Sequence, residues 1–351
     1  MPNVLKSRLA ESRGHFRLQM FITLSSTHLN VGRVAVTDGM DSVAVNKLLT
    51  AGHEVIERHY TKDELLSGAL SDFDAVIVRS ATKLTSEVIS KCDNLSFIGR
   101  AGVGVDNIDL RAASSRGIVV CNTPQSSTNS VVELTIGHLL ASCRHVTRGD
   151  RGLRAGLWEK KQLKGTELSG KRLGLVGFGR IAQGVATVAT AMGMECHAYD
   201  PYLPSNIASK FDCTMHDDVD SIFRLCTHIS IHCNLTEETH HLVNGERIAM
   251  MPTSAPNGVN CGNHIVNCAR GGIVDEGAVL DCLESGDLTS AALDVFEVEP
   301  ALDNPLLQHP NFHGTPHIGA ATLEAQARIG DEMVTLILDH FAGKRPHSAL
   351  N

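Results

Sequence analysis

The sequence lacks several features, and each absence excludes a class of protein. No apolar run reaches the roughly 18 residues that a membrane-spanning helix needs. Basic residues are not in excess: 31 Lys and Arg stand against 39 Asp and Glu, and a net charge of -8 argues against nucleic acid as the main partner. No repeat array or low-complexity tract is present. What remains is a soluble globular composition in 351 residues, long enough for two domains.

The ten cysteines form no CxxC pair. In a chain of this length that pattern favours free thiols in a reducing compartment over a disulfide framework, so we expect a cytoplasmic protein. One group of residues superficially resembles a set of metal ligands: His228, His232, Cys233, His240 and His241. Their spacing fits no zinc template, and we expect no metal site.

Residues 1–32 differ in composition from the rest of the chain. They contain four basic residues and one acidic residue, namely Lys6, Arg8, Arg13, Arg17 and Glu11. This resembles an organellar transit peptide, which makes organellar import the alternative to a cytoplasmic location. We favour an unstructured extension. The apolar stretch "LQMFITLSS" is too short for a secretory signal.

From Arg33 onward, short apolar runs alternate with helical patterns. "RVAVTD", "AVIVRS", "LSFIGRAG" and "GIVVCN" read as strands separated by helices, and a second series begins at "KRLGLVGFGRIA". Such alternation predicts βαβ units and parallel sheets. The predicted fold class is therefore α/β, with two doubly wound parallel-sheet lobes.

Strands of the second series end in polar or glycine residues. These are Gly177, Asp200, His232 with Cys233, Arg270, Asp294 and His317. If the sheet is parallel, its strand ends meet at one crevice, where open α/β sheets bind ligands. The stretch "HIVNCARGGIVDE" delivers Arg270 there through a glycine turn, before a helix that Asp275 can cap and Gly286 can end.

"LGLVGFGRIA" contains a GxGxxA motif between a strand and a helix, with Gly177, Gly179 and Ala182 at the motif positions. The first glycine makes a tight turn, the second lets a pyrophosphate approach the backbone, and the alanine permits close helix–strand packing. Asp200 ends the next strand. A carboxylate there can bond both ribose hydroxyls and repels a 2′-phosphate, so the motif predicts NAD in preference to NADP.

Three residues after this motif suit hydride transfer from a secondary alcohol. Such chemistry needs a base for the hydroxyl proton, a partner that orients the base, and a cation for the substrate carboxylate. His317 in "TPHIGAAT" is the candidate base, Glu299 in "LDVFEVEP" the orienting group, and Arg270 the cation. Glu297 competes with Glu299 for the orienting role.

Together these motifs resemble the D-isomer-specific 2-hydroxyacid dehydrogenases, and within that family most closely the phosphoglycerate dehydrogenases. The matching stretches are "VRSATK", "IGRAGVGVDNIDL", "GTELSGKRLGLVGFGRIA", "YDP", "NCARGGIVDE", "ALDVFEVEP" and "PHIGAAT". They occur in the family's order and cover nearly everything from residue 33 to the end. The combination of "NCARGGIVDE" with "PHIGA" is far more specific than the glycine motif alone.

The resemblance implies site residues. The catalytic triad is Arg270, Glu299 and His317, and the substrate meets Arg79, Val103, Gly104 and Arg270, with Lys83 and Arg100 as weaker phosphate contacts. The NAD contacts are Val103, Gly177, Gly179, Arg180, Ile181, Asp200, Cys233, Cys268, Ala269, Arg270, Asp294, His317, Gly319 and Ala320.

The family's domain order is also implied. A Rossmann NAD-binding domain, residues 124–315, is inserted in a flavodoxin-like substrate domain made of residues 33–123 and 316–351. The last helix, from about Ala321 to Phe341, then returns to the first lobe. Family members usually dimerise through the cofactor lobe, so we expect a homodimer or dimer of dimers with the segment around Trp158 in the contact arm.

The expected reaction is NAD-dependent oxidation of D-3-phosphoglycerate at C2 to 3-phosphohydroxypyruvate, a step of serine biosynthesis. Two alternatives stay open. One is a related dehydrogenase acting on glyoxylate, hydroxypyruvate or another D-2-hydroxy acid. The other is an NAD-sensing binding protein similar to the corepressors that share this fold.

The sequence departs from the family pattern at three places. Cys233 and Asn234 replace a common Thr-Pro pair, which alters one adenine-side contact. The connection within residues 252–264 is longer than usual, and we expect a surface bulge at the amino end of the next strand. The chain stops at Asn351 without the regulatory domain of some phosphoglycerate dehydrogenases, so feedback inhibition through such a domain is not expected.

Overall fold

A computed structural model describes residues 31–351 of the chain. The extension predicted for residues 1–32 therefore lies almost entirely outside the described residues. Among the residues that are described, no helix is long and apolar enough to cross a membrane.

The first lobe is a five-stranded parallel sheet. Its strands are β1 (Arg33–Val36), β2 (Glu54–Glu57), β3 (Ala75–Val78), β4 (Phe97–Arg100) and β5 (Val119–Asn122). They lie in the order β2-β1-β3-β4-β5, the order of flavodoxin-like sheets. All four residues of β3 are buried, as expected for a central parallel strand covered on both faces. The connecting helices are α1 (Ser42–Thr50), α2 (Lys62–Leu66), α3 (Ser86–Ser90) and α4 (Leu110–Ser115).

The second lobe is a seven-stranded parallel sheet. It contains β6 (Arg172–Val176), β7 (Glu195–Tyr199), β8 (Cys213–His216), β9 (His228–Ile231), β10 (His264–Asn267), β11 (Ser290–Leu293) and β12 (Phe312–Gly314). The strand order is β12-β11-β10-β9-β6-β7-β8. Strands β7 and β8 are therefore added on one side of β6, and β9 to β12 on the other side, so the strand order reverses between β6 and β9. This is the Rossmann arrangement with one additional edge strand, and a ligand crevice is expected at the reversal point. The predicted fold class is confirmed.

Helices cover both faces of the second sheet, and the last helix of the chain returns to the first sheet. They are α5 (Thr128–Arg144), α6 (Val146–Arg154), α7 (Arg180–Ala191), α8 (Val219–Leu225), α9 (Gly245–Met250), α10 (Glu276–Ser285) and α11 (Leu323–Phe341). Short 3-10 helices span Ser205–Phe211 and Pro305–Gln308. Helix α11 packs on the first sheet, where Met333 and Ile337 are buried beside Val34 and Phe97. The chain thus ends in the lobe in which its first strands lie.

The long connection before β10 folds back on itself. The N–H groups of Cys261 and Gly262 both donate to the carbonyl oxygen of Thr253 at 2.9 Å. Because this connection leads into His264, the first residue of β10, it lies at the amino end of the strand. That edge is opposite the one at which Arg270 stands, as predicted for a surface bulge away from the site.

Candidate active site between the two lobes

The turn after β6 leaves room for a large ligand at one glycine and none for a side chain at the other. Gly177 has φ +85°, and a Cβ built there would lie 2.7 Å from the backbone nitrogen of Cys233. At Gly179 no atom lies within 4 Å of such a Cβ. Ala182 is fully buried against the sheet. The three motif positions therefore have the local geometry that the GxGxxA pattern predicts.

The amino end of α7 is suited to an anion. Its N-cap, Gly179, offers no side-chain acceptor, and the first turn, which begins with Arg180 and Ile181, contains no acidic residue. The unpaired N–H groups and the helix dipole therefore favour a bound phosphate. At the end of β7, the Asp200 carboxylate accepts from the backbone N–H groups of Phe178 at 2.8 Å and Tyr202 at 2.9 Å. These residues fit a dinucleotide with free ribose hydroxyls.

A buried amide braces the turn that presents Arg270. The Oδ1 atom of Asn267 accepts from the Ala269 N–H at 2.9 Å, and its Nδ2 donates to the Arg270 carbonyl oxygen at 2.8 Å. A side chain at Gly271 would overlap the carbonyl of Phe296, so the turn packs directly on the loop that carries Glu299. The glycine pair thus answers two needs, a sharp turn and a close contact between backbones.

A second buried group, the Asp294 carboxylate, holds the loop of residue 317. It is 1% exposed, and it accepts from Thr315 Oγ1 at 2.6 Å and from the N–H groups of Ile318 and Gly319, each at 2.8 Å. The Asp294 carbonyl oxygen also accepts from the His317 N–H at 2.9 Å. His317 has φ +52°, a conformation that non-glycine residues adopt only when surrounding contacts enforce it.

His317 and Glu299 form a hydrogen-bonded pair. Nδ1 of His317 lies 2.9 Å from Oε2 of Glu299, and Glu299 Oε1 accepts from the Phe296 N–H at 3.1 Å. Burial raises the pKa of the Glu299 carboxyl, but the hydrogen bond and charge of His317, the Phe296 N–H and the charge of Arg270 outweigh it. The net pKa lies below the ordinary value, so the carboxylate stays charged at neutral pH.

Glu297, the competing acid, turns away from this pair. Its Oε1 lies 3.0 Å from Nε2 of His241 and accepts from the Glu276 N–H at 3.3 Å. Glu299 therefore faces His317, whereas Glu297, two residues earlier, contacts the start of α10.

Arg270 reaches across the cleft to the first lobe. Its Nε donates to Asp106 Oδ2 at 2.7 Å, and its Nη1 donates to the Ala269 carbonyl oxygen at 2.6 Å. A side chain at Gly104 would overlap the guanidinium. Within residues 31–351, the N–H groups of Val103 and Gly104 have no hydrogen-bond acceptor, so the loop presents two free donors beside Arg270.

Two other guanidinium groups act on Arg100 in this cleft. Burial, followed by the charges of Arg270 and Arg79, lowers the pKa of Arg100 to about 10. Arg100 Nε is buried without a partner in the described part of the chain. The side chain of Arg79 makes no hydrogen bond or ion pair with any described residue. A cluster of partly unpaired cations at the edge of a site is typical of an anion-binding pocket.

The structure brings most predicted residues to the two facing strand edges. Cys233 touches the Gly177 turn, while Cys268 is buried and its pKa is raised by burial to about 12. Lys83, by contrast, is exposed and makes no ion pair among the described residues. Asn267 and Asp106 were not predicted from the sequence, and Arg100 was predicted only as a weaker phosphate contact. "RAGVGVDN" gave one signal for Asp106, an acid within a glycine loop.

The histidines considered as metal ligands do not form a single group. His228 lies in the core with Cys143 and His264, and its Nε2 is 3.2 Å from Cys143 Sγ. Its Nδ1 faces Thr227, and both ring nitrogens of His264 have hydrogen-bond partners. Burial lowers the pKa of His264 to about 4, so these rings are neutral members of a polar core network.

Comparison with known proteins identifies similar chains. The profile of the D-isomer specific 2-hydroxyacid dehydrogenase, NAD binding domain, matches residues 136–319. D-3-phosphoglycerate dehydrogenase of Methanocaldococcus jannaschii is 42% identical over 319 residues, 91% of this chain. The present chain spans only 59% of that relative's length.

Two further relatives are covered almost completely. Hydroxypyruvate reductase of Thermotoga maritima is 46% identical over 309 residues, which are 87% of this chain and 97% of the relative. The solved structure of NAD+-bound 3-phosphoglycerate dehydrogenase from Entamoeba histolytica has a TM-score of 0.75 and 30% identity, covering 92% of this chain and 99% of that one.

Gly179 allows cofactor binding to be tested separately from folding. Its φ is −69° and the space above it is open, so valine fits the free protein. The same side chain would fill the space that a pyrophosphate needs. We expect Gly179→Val to change the free energy of unfolding by no more than about 1 kcal/mol. We expect it to weaken NADH binding at least about tenfold, a loss of roughly 1.4 kcal/mol, in a fluorescence titration.

Gly245 provides the matched control for this experiment. It is the first residue of α9, and a Cβ built there also meets no atom within 4 Å. Gly245→Val is expected to bind NADH as the unsubstituted chain does. Undiminished NADH affinity in Gly179→Val would contradict the assigned role of the turn.

Proposed function

The chain belongs to the D-isomer specific 2-hydroxyacid dehydrogenase family, and we propose that it oxidises D-3-phosphoglycerate to 3-phosphohydroxypyruvate with NAD. The observation that carries the choice of substrate is the cluster of Arg79, Arg100 and Arg270. Arg270 with the loop donors suits the substrate carboxylate, and the other two guanidiniums suit a phosphate, the group that distinguishes this substrate from smaller 2-hydroxy acids.

In the proposed reaction His317 acts as the base. Since Nδ1 of its ring faces Glu299, Nε2 is the nitrogen left to take the proton from the C2 hydroxyl. The ring then becomes positively charged, and the Glu299 carboxylate stabilises that charge while it keeps the ring oriented. When bound on the Gly177 turn, NAD supplies the acceptor for the hydride from C2.

Arg270 and the loop after β4 orient the substrate. The free N–H groups of Val103 and Gly104 would hold the carboxylate, and the absence of a side chain at Gly104 leaves space for the Arg270 guanidinium beside them. The Arg270 guanidinium would polarise the carbonyl that forms at C2 as the hydride leaves. Both lobes would thus contribute to one set of contacts, which would hold C2 between the His317 ring and the cofactor turn.

Hydroxypyruvate reduction is the second candidate function. The Thermotoga maritima relative that bears this name is 46% identical, and the chain spans 97% of its length. The same base, cation and cofactor turn would serve that reaction run from the 2-oxo acid. Because hydroxypyruvate has no phosphate, Arg79 and Arg100 would then have no substrate group to bind.

We also propose that the protein is a cytoplasmic homodimer. Four large apolar side chains of α6 and the segment after it are exposed by more than half, namely Val146, Leu153, Leu157 and Trp158. A second copy covering them would remove this apolar surface from water.

The ten cysteines are free thiols, nine of them buried, which suits a reducing compartment.

Replacing His317 and Glu299 should separate turnover from cofactor binding. We expect His317→Ala to lower kcat by about 100-fold or more, because proton transfer by a positioned side chain contributes a factor of that order. Affinity for NADH should change less than about twofold, far less than a tenfold effect of 1.4 kcal/mol, because the substitution leaves the Gly177 turn and Asp200 unchanged. Initial rates with NAD and 3-phosphoglycerate, with fluorescence titration of NADH, measure both.

Glu299→Gln and Glu297→Gln form a matched pair for the orienting role. They make the same chemical change two positions apart, and only Glu299 contacts His317. We expect Glu299→Gln to lower kcat by about tenfold or more, and Glu297→Gln by less than about twofold. Equal effects of the two substitutions would contradict the assignment of Glu299.

Arg79 separates the two candidate substrates. We expect Arg79→Ala to lower kcat/KM for 3-phosphoglycerate by about ten- to a hundredfold, the loss of a charge-assisted hydrogen bond of roughly 1.5–3 kcal/mol. Hydroxypyruvate reduction should change by less than about threefold, which is under 1 kcal/mol, because hydroxypyruvate has no phosphate for Arg79 to bind. Steady-state kinetics with both compounds make the comparison.

Arg111→Ala, which removes an exposed charge from α4, is the control for net charge. It should leave both kcat/KM values unchanged. A wild-type preference for hydroxypyruvate, together with equal effects of Arg79→Ala on the two substrates, would favour the second candidate instead.

A further inference from the structure

Asp106 contacts the proposed cation of the site but has no part in the reaction described above. It lies in the loop after β4, in the first lobe, whereas Arg270 follows β10 in the second lobe. The Arg270 Nε–Asp106 Oδ2 distance is 2.7 Å, and the two side chains are 24% and 53% exposed. The contact therefore crosses the cleft next to the donors that would hold the substrate carboxylate.

Two acceptors together define the orientation of the guanidinium. Asp106 accepts from Nε, and the Ala269 carbonyl oxygen accepts from Nη1 at 2.6 Å. Nη2 then lies over Gly104, the position where a side chain would overlap it. A planar guanidinium with two of its three nitrogens bound has little freedom to rotate, so its remaining donors stay directed at the loop.

Asp106 also offsets repulsion among the cations. Arg79, Arg100 and Arg270 bear the same charge, and Arg100 is influenced by both of the others. Asp38 is the other acid that acts on Arg100, but its carboxylate already accepts from the N–H groups of Arg79 and Thr82. Among the described residues, Asp106 is the carboxylate that bonds Arg270 itself.

The loop backbone near Asp106 is held by other groups. Nδ2 of Asn107 donates to the carbonyl oxygens of Arg79 at 2.7 Å and Thr82 at 2.6 Å, and the Asn107 carbonyl accepts from the Leu84 N–H at 2.8 Å. Removing the Asp106 side chain therefore leaves these loop contacts in place. A functional effect of the substitution can be read without loss of the fold.

We propose that Asp106 is a positioning residue: it holds Arg270 across the cleft, in the orientation that receives the substrate carboxylate. The inference rests on the proposed dehydrogenase activity but not on which 2-hydroxy acid is the substrate. Its effect is expected on substrate binding and turnover together, because Arg270 contacts the substrate both before and during hydride transfer.

The test compares Asp106→Ala, Asp106→Asn and wild type in the full chain with NAD. We expect Asp106→Ala to lower kcat/KM for the 2-hydroxy acid by at least about tenfold. Asp106→Asn keeps an acceptor for Nε and should restore part of that loss. NADH affinity should stay within about twofold of wild type, since no Asp106 contact lies on the cofactor turn. Asp93→Ala, which removes an exposed first-lobe acid paired with Arg116, should behave as wild type.

A second measurement shows whether Asp106 acts through Arg270. Binding of 3-phosphoglycerate to the enzyme–NADH complex, which cannot react, is measured by titration calorimetry for Arg270→Ala with and without Asp106→Ala. We expect the second substitution to change the Kd by less than about twofold once Arg270 is gone. A further tenfold loss there, or wild-type kcat/KM in Asp106→Ala, would overturn the inference alone. A wild-type chain that oxidises no 2-hydroxy acid would overturn the proposed function, and this inference with it.

Discussion

The hydrogen bond between Arg270 and Asp106 is the contact around which the site is arranged, because it joins the two lobes at the place where their sheets face each other. Both sheets are parallel, so each collects its strand ends at one edge, and functional groups from distant parts of the chain meet there. The first lobe contributes backbone donors and cations. The second contributes the His317–Glu299 pair and the cofactor turn.

Buried polar groups give this arrangement its rigidity. Asn267 and Asp294 are each 1% exposed, and the side chain of each forms hydrogen bonds with the backbone of the loop that follows a strand. Neither needs to touch a substrate to matter, since they fix the turns of Arg270 and His317. A buried amide or carboxylate without a hydrogen-bond partner costs free energy of folding. The contacts that satisfy these two side chains therefore also favour one conformation of the loops.

Sequence patterns predicted the fold well, because a strand buried on both faces and a glycine turn leave local signals. β3 reads as an unbroken apolar run, and the cap at Asp275 and the left-handed Gly286 appear as predicted. The choice of Glu299 over Glu297 rested on the family resemblance, since the residues alone do not show the path of the loop. Asp106 was not predicted as part of the site, because its role comes from Arg270, which lies 164 residues away along the chain.

The most direct measurement is a crystal structure of the protein with NADH and 3-phosphoglycerate. We expect the substrate carboxylate on the N–H groups of Val103 and Gly104 and within hydrogen-bonding distance of Arg270, with the phosphate on Arg79 and Arg100. We also expect the C2 hydroxyl at Nε2 of His317. A substrate bound elsewhere, or reversed so that its phosphate meets Arg270 and its C2 hydroxyl lies away from His317, would rule out the proposed binding mode.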